Sequence, residues 1–482
     1  MAVIKTPGVY IAETNAFPNS VVQVATAVPA FVGYTGAAAN DGVSLLRKPW
    51  RISSMSEYEH FFGGAPTARF KIEAVKPQVA VPAPTDRDML QARGQRSVFC
   101  HGGKTYLLTR AAGRAGGRFL MHQAMRHFFL NGGGPCYVVS VGDFDDEIVA
   151  GDKTMGLVGG LTPLLDEGEP TLIVVPDAVL LSRPDCVVVQ RAVLEHCGSD
   201  TKKRFAILDV WGGDLDRRNP AGDCIDWFRA ASGTNFLDYA AAYYPWLHTS
   251  LSGGGELDQR SIEKSEDLAA LLGVDASLLA ALTHEACLQL NLMPPSAAMA
   301  GVYTMVDNNR GVWKAPANVG IAGVIKPAIA ISDADQEDLN VTPQGKSINA
   351  IRSFMGEGVL VWGARTLDGN SLDWRYINVR RTAIMLEESC RLAIVAMVFE
   401  PNVADTWEAI KRTIGNFLNG IWKQGGLAGA APADAFSVSV GLGETMTADD
   451  ILEGILRVAV RVAITRPAEF QEFTVQQQMQ GS

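Results

Sequence analysis

Two short segments carry residue types that could hold a phosphate. Gly345-Lys346-Ser347 and Gly103-Lys104-Thr105 each read like the end of a glycine-rich loop, in which backbone N–H groups cradle phosphates and a lysine reaches them. Such a loop needs a further glycine five residues upstream, where this chain has Asn340 and Val98, so both segments read as turns. Asn131-Gly132-Gly133-Gly134 follows a helical pattern rather than a strand and reads as a helix end, not a dinucleotide loop. Seven histidines, His60, His101, His122, His127, His196, His248 and His284, include no His-Glu-x-x-His pair. His122 and His127 miss the one-turn spacing of a helical metal site, and His196-Cys197 and Cys100-His101 are neighbours whose side chains diverge. No Gly-x-Ser-x-Gly elbow supplies a nucleophile. Glu387-Glu388 would project about 100° apart on a helix, so they share no acid/base site and read as surface groups or ion-pair partners of Arg380, Arg381 and Arg391. No catalytic, cofactor-binding or metal-binding residue is therefore assigned, and no cofactor is expected.

The elements that would position such groups divide the chain of 482 residues into two to four domains. It is 47% hydrophobic and 20% charged, with a net charge of −10, which argues against a nucleic-acid binder working by phosphate neutralisation. Seven scattered cysteines without Cys-x-x-Cys fit a reducing cytosol better than a disulfide framework. MAVIKTPGVYIAE contains no apolar signal-peptide core, and no run of about 18 apolar residues exists, so synthesis and folding in the cytoplasm without membrane insertion are expected.

Residues 1–30 read as an extended arm punctuated by Pro7, Pro18 and Pro29, with Val9 and Ile11 alternating with Tyr10 and Ala12. It suits an edge strand of its own domain or one lent to another subunit. Ser53–Phe62 reads as a capped helix ending at Gly63-Gly64. Residues 65–117 read as an inserted β-rich excursion whose clearest feature is a hairpin, Ser97–His101 and Lys104–Arg110 flanking Gly102-Gly103. Residues 118–254 alternate between helix and strand: a helix over Phe119–Leu130, strands at Cys136–Val141, Thr171–Val175, Phe205–Val210 and Tyr239–Tyr244, helices near 184–197 and 222–231. Residues 255–300 form a leucine-rich helical piece, and 301–345 show few clear periods.

The chain is organised around Ser347–Arg391. Strand-like runs at Ile348–Phe354 and Val359–Thr366 precede the turn Asp368-Gly369-Asn370, and Ala383, Leu386, Cys390, Ala393 and Met397 mark a core-facing helix over 379–398. Trp362 and Trp374 read as core aromatics. A second helix, capped by Asn402, carries the stripe Val403, Trp407, Ile410, Ile414, Phe417 and Ile421, with Lys411, Arg412 and Lys423 off it. Phe436–Val440 and the alternating Leu456–Ile464 read as strands, the latter half-buried.

The motif VWGARTL followed by WRYINVRR and a Glu-Glu-Ser resembles the C-terminal domain of contractile tail sheath proteins. The likeness continues in order through Thr6-Pro7-Gly8-Val9-Tyr10, His127–Gly134, Ala241–Trp246, Gly311–Asn318, Arg412–Leu418 and Arg466–Phe470. It departs at 65–117, an excursion expected to decorate the outer surface. The fold class implied is α/β (α+β): a multidomain sheath protein with a mixed-sheet core, the β-rich insertion, and a C-terminal α/β domain with extended N- and C-terminal arms. The expected divisions are an arm at 1–30, outer sheath domains over 31–345, a core domain facing the inner tube over 346–465, and an arm at 466–482.

The function that the resemblance implies is mechanical. Subunits stack as hexameric rings around an inner tube and contract to drive it through a target envelope. The arms lend strands to neighbours through Val9, Tyr10, Ile11, Phe473 and Val475. Lys411 and Arg412, basic groups on an otherwise acidic protein, are expected to meet the inner tube. Trp362, Arg365, Trp374, Arg375, Tyr376, Arg380 and Arg381 form the hub of the C-terminal domain, to which neighbouring arms attach. Implied partners are the chain itself, the inner tube protein, baseplate and terminal cap proteins, and sister sheath proteins, with assembly in the bacterial cytoplasm before the particle becomes a phage tail or a released phage-tail-like particle. A nucleotide-dependent α/β enzyme and a static shell or surface-layer protein are the alternatives.

Overall fold

The structure is a computed structural model describing residues 21–75, 96–110, 118–219, 222–253, 262–263 and 276–470. Val9, Tyr10, Ile11, Phe473 and Val475 lie outside the described residues.

Short apolar runs rich in Val, Ile, Ala and Tyr form the centre of a nine-stranded sheet. Its strands run, from edge to edge, Val319–Gly320, Gly358–Trp362, Asn349–Phe354, Ala240–Tyr244, Phe205–Asp209, Leu172–Val174, Pro29–Gly33, Cys136–Ser140 and Trp50–Ile52. The middle is parallel, and the pairings at both ends are antiparallel. Pro29–Gly33, Cys136–Ser140, Phe205–Asp209 and Ala240–Tyr244 are buried at every position, which is why they read as continuous apolar runs rather than alternating ones. Helices Met121–Leu130, Arg183–Glu195 and Cys224–Ala231 fall within a residue or two of where periodicity puts them. Ser54 caps Met55–Phe62 by accepting from the Glu57 amide, and Gly63 ends it at a φ of 79°.

Two helices in 296–340 escape the periodic reading. Ser296–Arg310 is buried on nearly all sides, so it has no polar face to mark a 3.6-residue period. Asp333–Asn340 is short and polar, with a Ser332/Asp335 capping box.

The insertion and the leucine-rich piece, read separately in the sequence, come together. Ile262–Glu263, Phe70–Val75, Lys104–Arg110 and Arg96–His101 form a four-stranded sheet, and Phe70, Ile72, Tyr106 and Leu108 share a small core with Leu278, Leu282 and Ala286 of helix Ala276–Leu290. The expected hairpin is present, His101 opposite Lys104, turned by Gly102 and Gly103 at φ 55° and 73°.

Among the described residues the chain divides into two compact units, one of 25–384 and 466–470, the other of 21–24 and 385–465. The division expected at 346 differs: Asn349–Phe354 and Gly358–Trp362 are strands of the large sheet, so the hub segment belongs with the larger unit up to Ile384.

Candidate functional site: the C-terminal segment

Within the larger unit, the hub is held by its own polar side chains. Buried Asn349 donates from Nδ2 to the carbonyls of Ala242 (3.2 Å) and Arg365 (2.8 Å) and accepts the Arg365 amide on Oδ1 (2.8 Å), locking strand Asn349–Phe354 to the chain that follows. Gly369 crosses Ser347 so closely that an added Cβ would lie 1.8 Å from its Oγ, which only glycine permits. Lys346 donates to the Arg229 carbonyl in helix Cys224–Ala231 and Ser347 Oγ to that of Asn340 at 2.6 Å, so both polar groups of the Gly-Lys-Ser segment are used in holding the fold.

Arg365, 3% exposed, forks onto Glu469: Nε to Oε1 at 2.9 Å and Nη2 to Oε2 at 2.7 Å. Asn340 Nδ2 (2.8 Å) and Tyr376 Oη (3.1 Å) also donate to Glu469. Burial pushes the Glu469 carboxyl up, but the bonds from Arg365, Asn340 and Tyr376 outweigh it and hold the group below the usual glutamate range. Arg381, also 3% exposed, forks onto Asp307 at 3.0 and 2.6 Å, donates to the Thr26 carbonyl at 2.9 Å and lies 4.6 Å from the Tyr303 ring centre. Thr26 Oγ1 completes this group with a 2.6 Å bond to Asp307. Arg380 stands 3.4 Å from Asp238, between the rings of Tyr239 (3.9 Å) and Trp374 (4.6 Å). Arg375 Nε donates to the Ser371 carbonyl at 2.9 Å.

Glu387 is exposed and Glu388 pairs with Arg391 at 2.7 Å, in line with their reading as surface groups or ion-pair partners. One expectation is corrected. Trp362 is not a core aromatic: it is 39% exposed at the end of an outlying strand, 4.5 Å from the Phe354 ring, and Trp374 is half-buried.

In the smaller unit, helix Ala404–Lys423 buries Ile410, Thr413, Ile414, Leu418 and Ile421, with Trp407 and Phe417 only partly covered. Asn402 is not its cap. Its side chain accepts from Trp407 Nε1 at 2.7 Å and donates to the Ile455 carbonyl at 3.1 Å, and Val403 takes the cap position. Arg412 is exposed, and Lys411 lies 3.7 Å from Glu444. Phe436–Ser439 and Ala459–Val462 form a two-stranded antiparallel sheet without a third strand among the described residues. The second strand is shorter than the alternation of 456–464 suggests, but the half-buried face is there: Leu456, Val458, Val462 and Ile464 are half-buried and Val460 is 36% exposed, while Arg457, Ala459, Arg461 and Ala463 are exposed. Ala463 donates to the Ala435 carbonyl, so by the two-residue alternation Ala459 and Arg461 face the partner strand while the N–H and C=O groups of Val460 and Val462 face away.

Three shifted titratable groups elsewhere, Asp209, Asp177 and His127, have structural partners. Asp209, fully buried, accepts the Ser296 amide (2.8 Å) and hydroxyl at the start of helix Ser296–Arg310, and burial lifts it to about 7. Asp177, lifted to about 6, receives the Tyr34 and Leu120 amides. Burial lowers His127 to about 4, and its Nε2 lies 3.1 Å from the Ala322 carbonyl. Among the described residues no group of three or more His, Cys, Asp or Glu comes together to hold a metal ion, and no helix is long and apolar enough to cross a membrane.

Comparison with known proteins agrees with this architecture. Residues 169–367 match the phage tail sheath protein central domain and residues 370–478 the phage tail sheath C-terminal domain. The tail sheath protein of Burkholderia phage BcepMu is 29% identical over 143 residues, a match spanning 29% of this chain and 30% of that protein. The sheath of the PVC extracellular contractile injection system, in its contracted state, is 28% identical with a TM-score of 0.63 over 99% of each chain. The contracted helical sheath of the anti-feeding prophage is 30% identical with a TM-score of 0.64, over 99% of this chain and 100% of that one. With two sheath domains in sequence and end-to-end similarity to contractile sheath subunits, the chain belongs to the contractile tail sheath protein family.

Proposed function

We propose that this chain is the repeating subunit of a contractile sheath. Copies stack as hexameric rings around an inner tube, and collective rearrangement shortens the cylinder and drives the tube through a target envelope. Family membership supports a structural rather than enzymatic role. The observation that carries the reading is the small sheet of Phe436–Ser439 and Ala459–Val462, whose outward backbone groups suit strands added by other subunits. Residues around Val9, Tyr10 and Ile11 and around Phe473 and Val475 are the strands this reading assigns to it. Each backbone hydrogen bond so formed contributes about 0.5–1.5 kcal/mol net. A covalent arm bonded in this way lets subunits rotate during contraction without leaving the lattice.

Lys411 and Arg412 on helix Ala404–Lys423 are assigned to the inner tube. Baseplate, terminal cap and sister sheath proteins complete the particle, which assembles in the bacterial cytoplasm before serving as a phage tail or a released injection system. Negative-stain microscopy of the protein made with its genomic neighbours tests this. Tubes in long and short states are expected; discrete small oligomers or one fixed lattice would overturn it in favour of an enzyme or a static shell.

A further inference from the structure

The same stretch of chain, 365–381, grips both terminal segments of its own subunit. Arg381 reaches back 355 residues to the Thr26 carbonyl while forking onto Asp307, which Thr26 Oγ1 also engages. Arg365 reaches forward 104 residues to fork onto Glu469, helped by Tyr376 and Asn340. Both arginines are almost fully buried, and both networks lie within the larger unit. Along the C-terminal segment Glu469 is a peg: its neighbours Ala468 and Phe470 are exposed, Phe470 by 75%. Along the N-terminal segment Thr26 sits between exposed Ala25 and the buried start of strand Pro29–Gly33, and the Thr171 hydroxyl, 2.8 Å away, donates to the same carbonyl.

We propose that Arg365 and Arg381 are anchors for the chain's own two arms, holding Glu469 and Thr26 fixed so that tension on either arm is delivered to a buried, forked ion pair rather than to the sheet edge. Buried ion pairs are poor stabilisers compared with apolar packing of the same volume, so stability alone does not account for two of them. At Glu469 the fork provides fixed direction, since two parallel charge-assisted bonds resist both sliding and rotation, which apolar contacts do not. Thr26 is held by both members of the Arg381–Asp307 pair, its carbonyl by Arg381 and its hydroxyl by Asp307. The hub therefore restrains the chain's own terminal segments at Thr26 and Glu469; its role as a receptor for arriving arms is a separate matter.

The assembled-state part of the test rests on the sheath reading above; the isolated-subunit part does not. Glu469→Ala removes the peg while Arg365 keeps the Asn340 and Gly369 carbonyls as acceptors, so the subunit is expected to fold. Hydrogen exchange on the full-length isolated subunit should then show amides of 464–470 exchanging at least roughly tenfold faster, with the rest of the protein unchanged. Arg365→Lys, which keeps the charge but not the fork, should fall between the two. Unchanged exchange at 464–470, or acceleration spread through the whole unit, would overturn the assignment. Thr26→Val is the milder counterpart at the other anchor, read at the Val28 amide, which donates to Thr171. In particles, Glu469→Ala sheaths should assemble and then break during contraction several-fold more often than wild type; equal survival would overturn the mechanical role. Failure of the wild type to form any sheath would overturn the functional reading and leave the exchange result to decide the anchors.

Discussion

The nine-stranded sheet and the two-stranded sheet of Phe436–Ser439 and Ala459–Val462 are built from the same backbone chemistry and end in opposite states. In the first, every central strand is bonded on both sides and buried on both faces. In the second, one edge of each strand is unpaired among the described residues, and Val460 is 36% exposed. A sheet of two strands is marginal on its own, and an apolar open edge is a template for another chain. The contrast separates a sheet that completes its bonding within the subunit from one suited to complete it between subunits.

Removing residues 1–15 should break the comparison most completely: the subunit should fold normally and form no lattice, as seen by circular dichroism and negative-stain microscopy. Normal-length sheaths from the deletion would sink strand exchange. In the closed sheet, Ile207→Ala should cost about 2–5 kcal/mol of unfolding free energy in denaturant titrations, because the site is sealed and cannot collapse. Val460→Pro tests the open edge directly. Its N–H faces away from the partner strand, so the melting temperature should barely move, while assembly should fall by roughly tenfold or more for want of that donor. Loss of stability matching Ile207→Ala would show that the edge is closed within the subunit.

Smaller effects sharpen the rest. Lys411→Glu with Arg412→Glu should reduce sheath formation on tubes several-fold without altering the isolated subunit; unimpaired assembly would remove these residues from the tube surface. Asp209→Asn should flatten the pH dependence of melting. Burial lifts the Asp209 carboxyl from 3.8 to about 7 in the folded state, so the fold binds a proton more tightly than the unfolded chain does. Asp209 therefore makes stability fall as pH rises between about 4 and 7. Asp177 acts in the same direction and His127 in the opposite one, so the difference between variant and wild type is the quantity to read.

Legibility followed the pattern of burial. Strands such as Phe205–Asp209 and helices such as Met121–Leu130 carry their periods on the surface of the sequence, and Gly102-Gly103 marks a hairpin that forms as expected. Helix Ser296–Arg310 was invisible because it is buried all round. Trp362 misled because aromatic content suggests a core even at an outlying strand. The alternation of 456–464 announces one half-buried face, and Leu456, Val458, Val462 and Ile464 are half-buried while Arg457, Ala459, Arg461 and Ala463 are exposed. Family resemblance supplied the sheath reading where residue chemistry alone supplied only absences.

Period and turn residues, by themselves, determined the layered class of fold, the central strands and the hairpin, since each depends on residues near one another in the chain, and the resemblance carried by the order of motifs supplied the family. Only the tertiary structure decided which carboxylates Arg365 and Arg381 hold, that the insertion and the helix Ala276–Leu290 share one core, and that the hub segment belongs with the large sheet. Those are contacts between residues tens to hundreds apart. A side chain's charge says that it needs a partner, and the folded path of the backbone chooses which one.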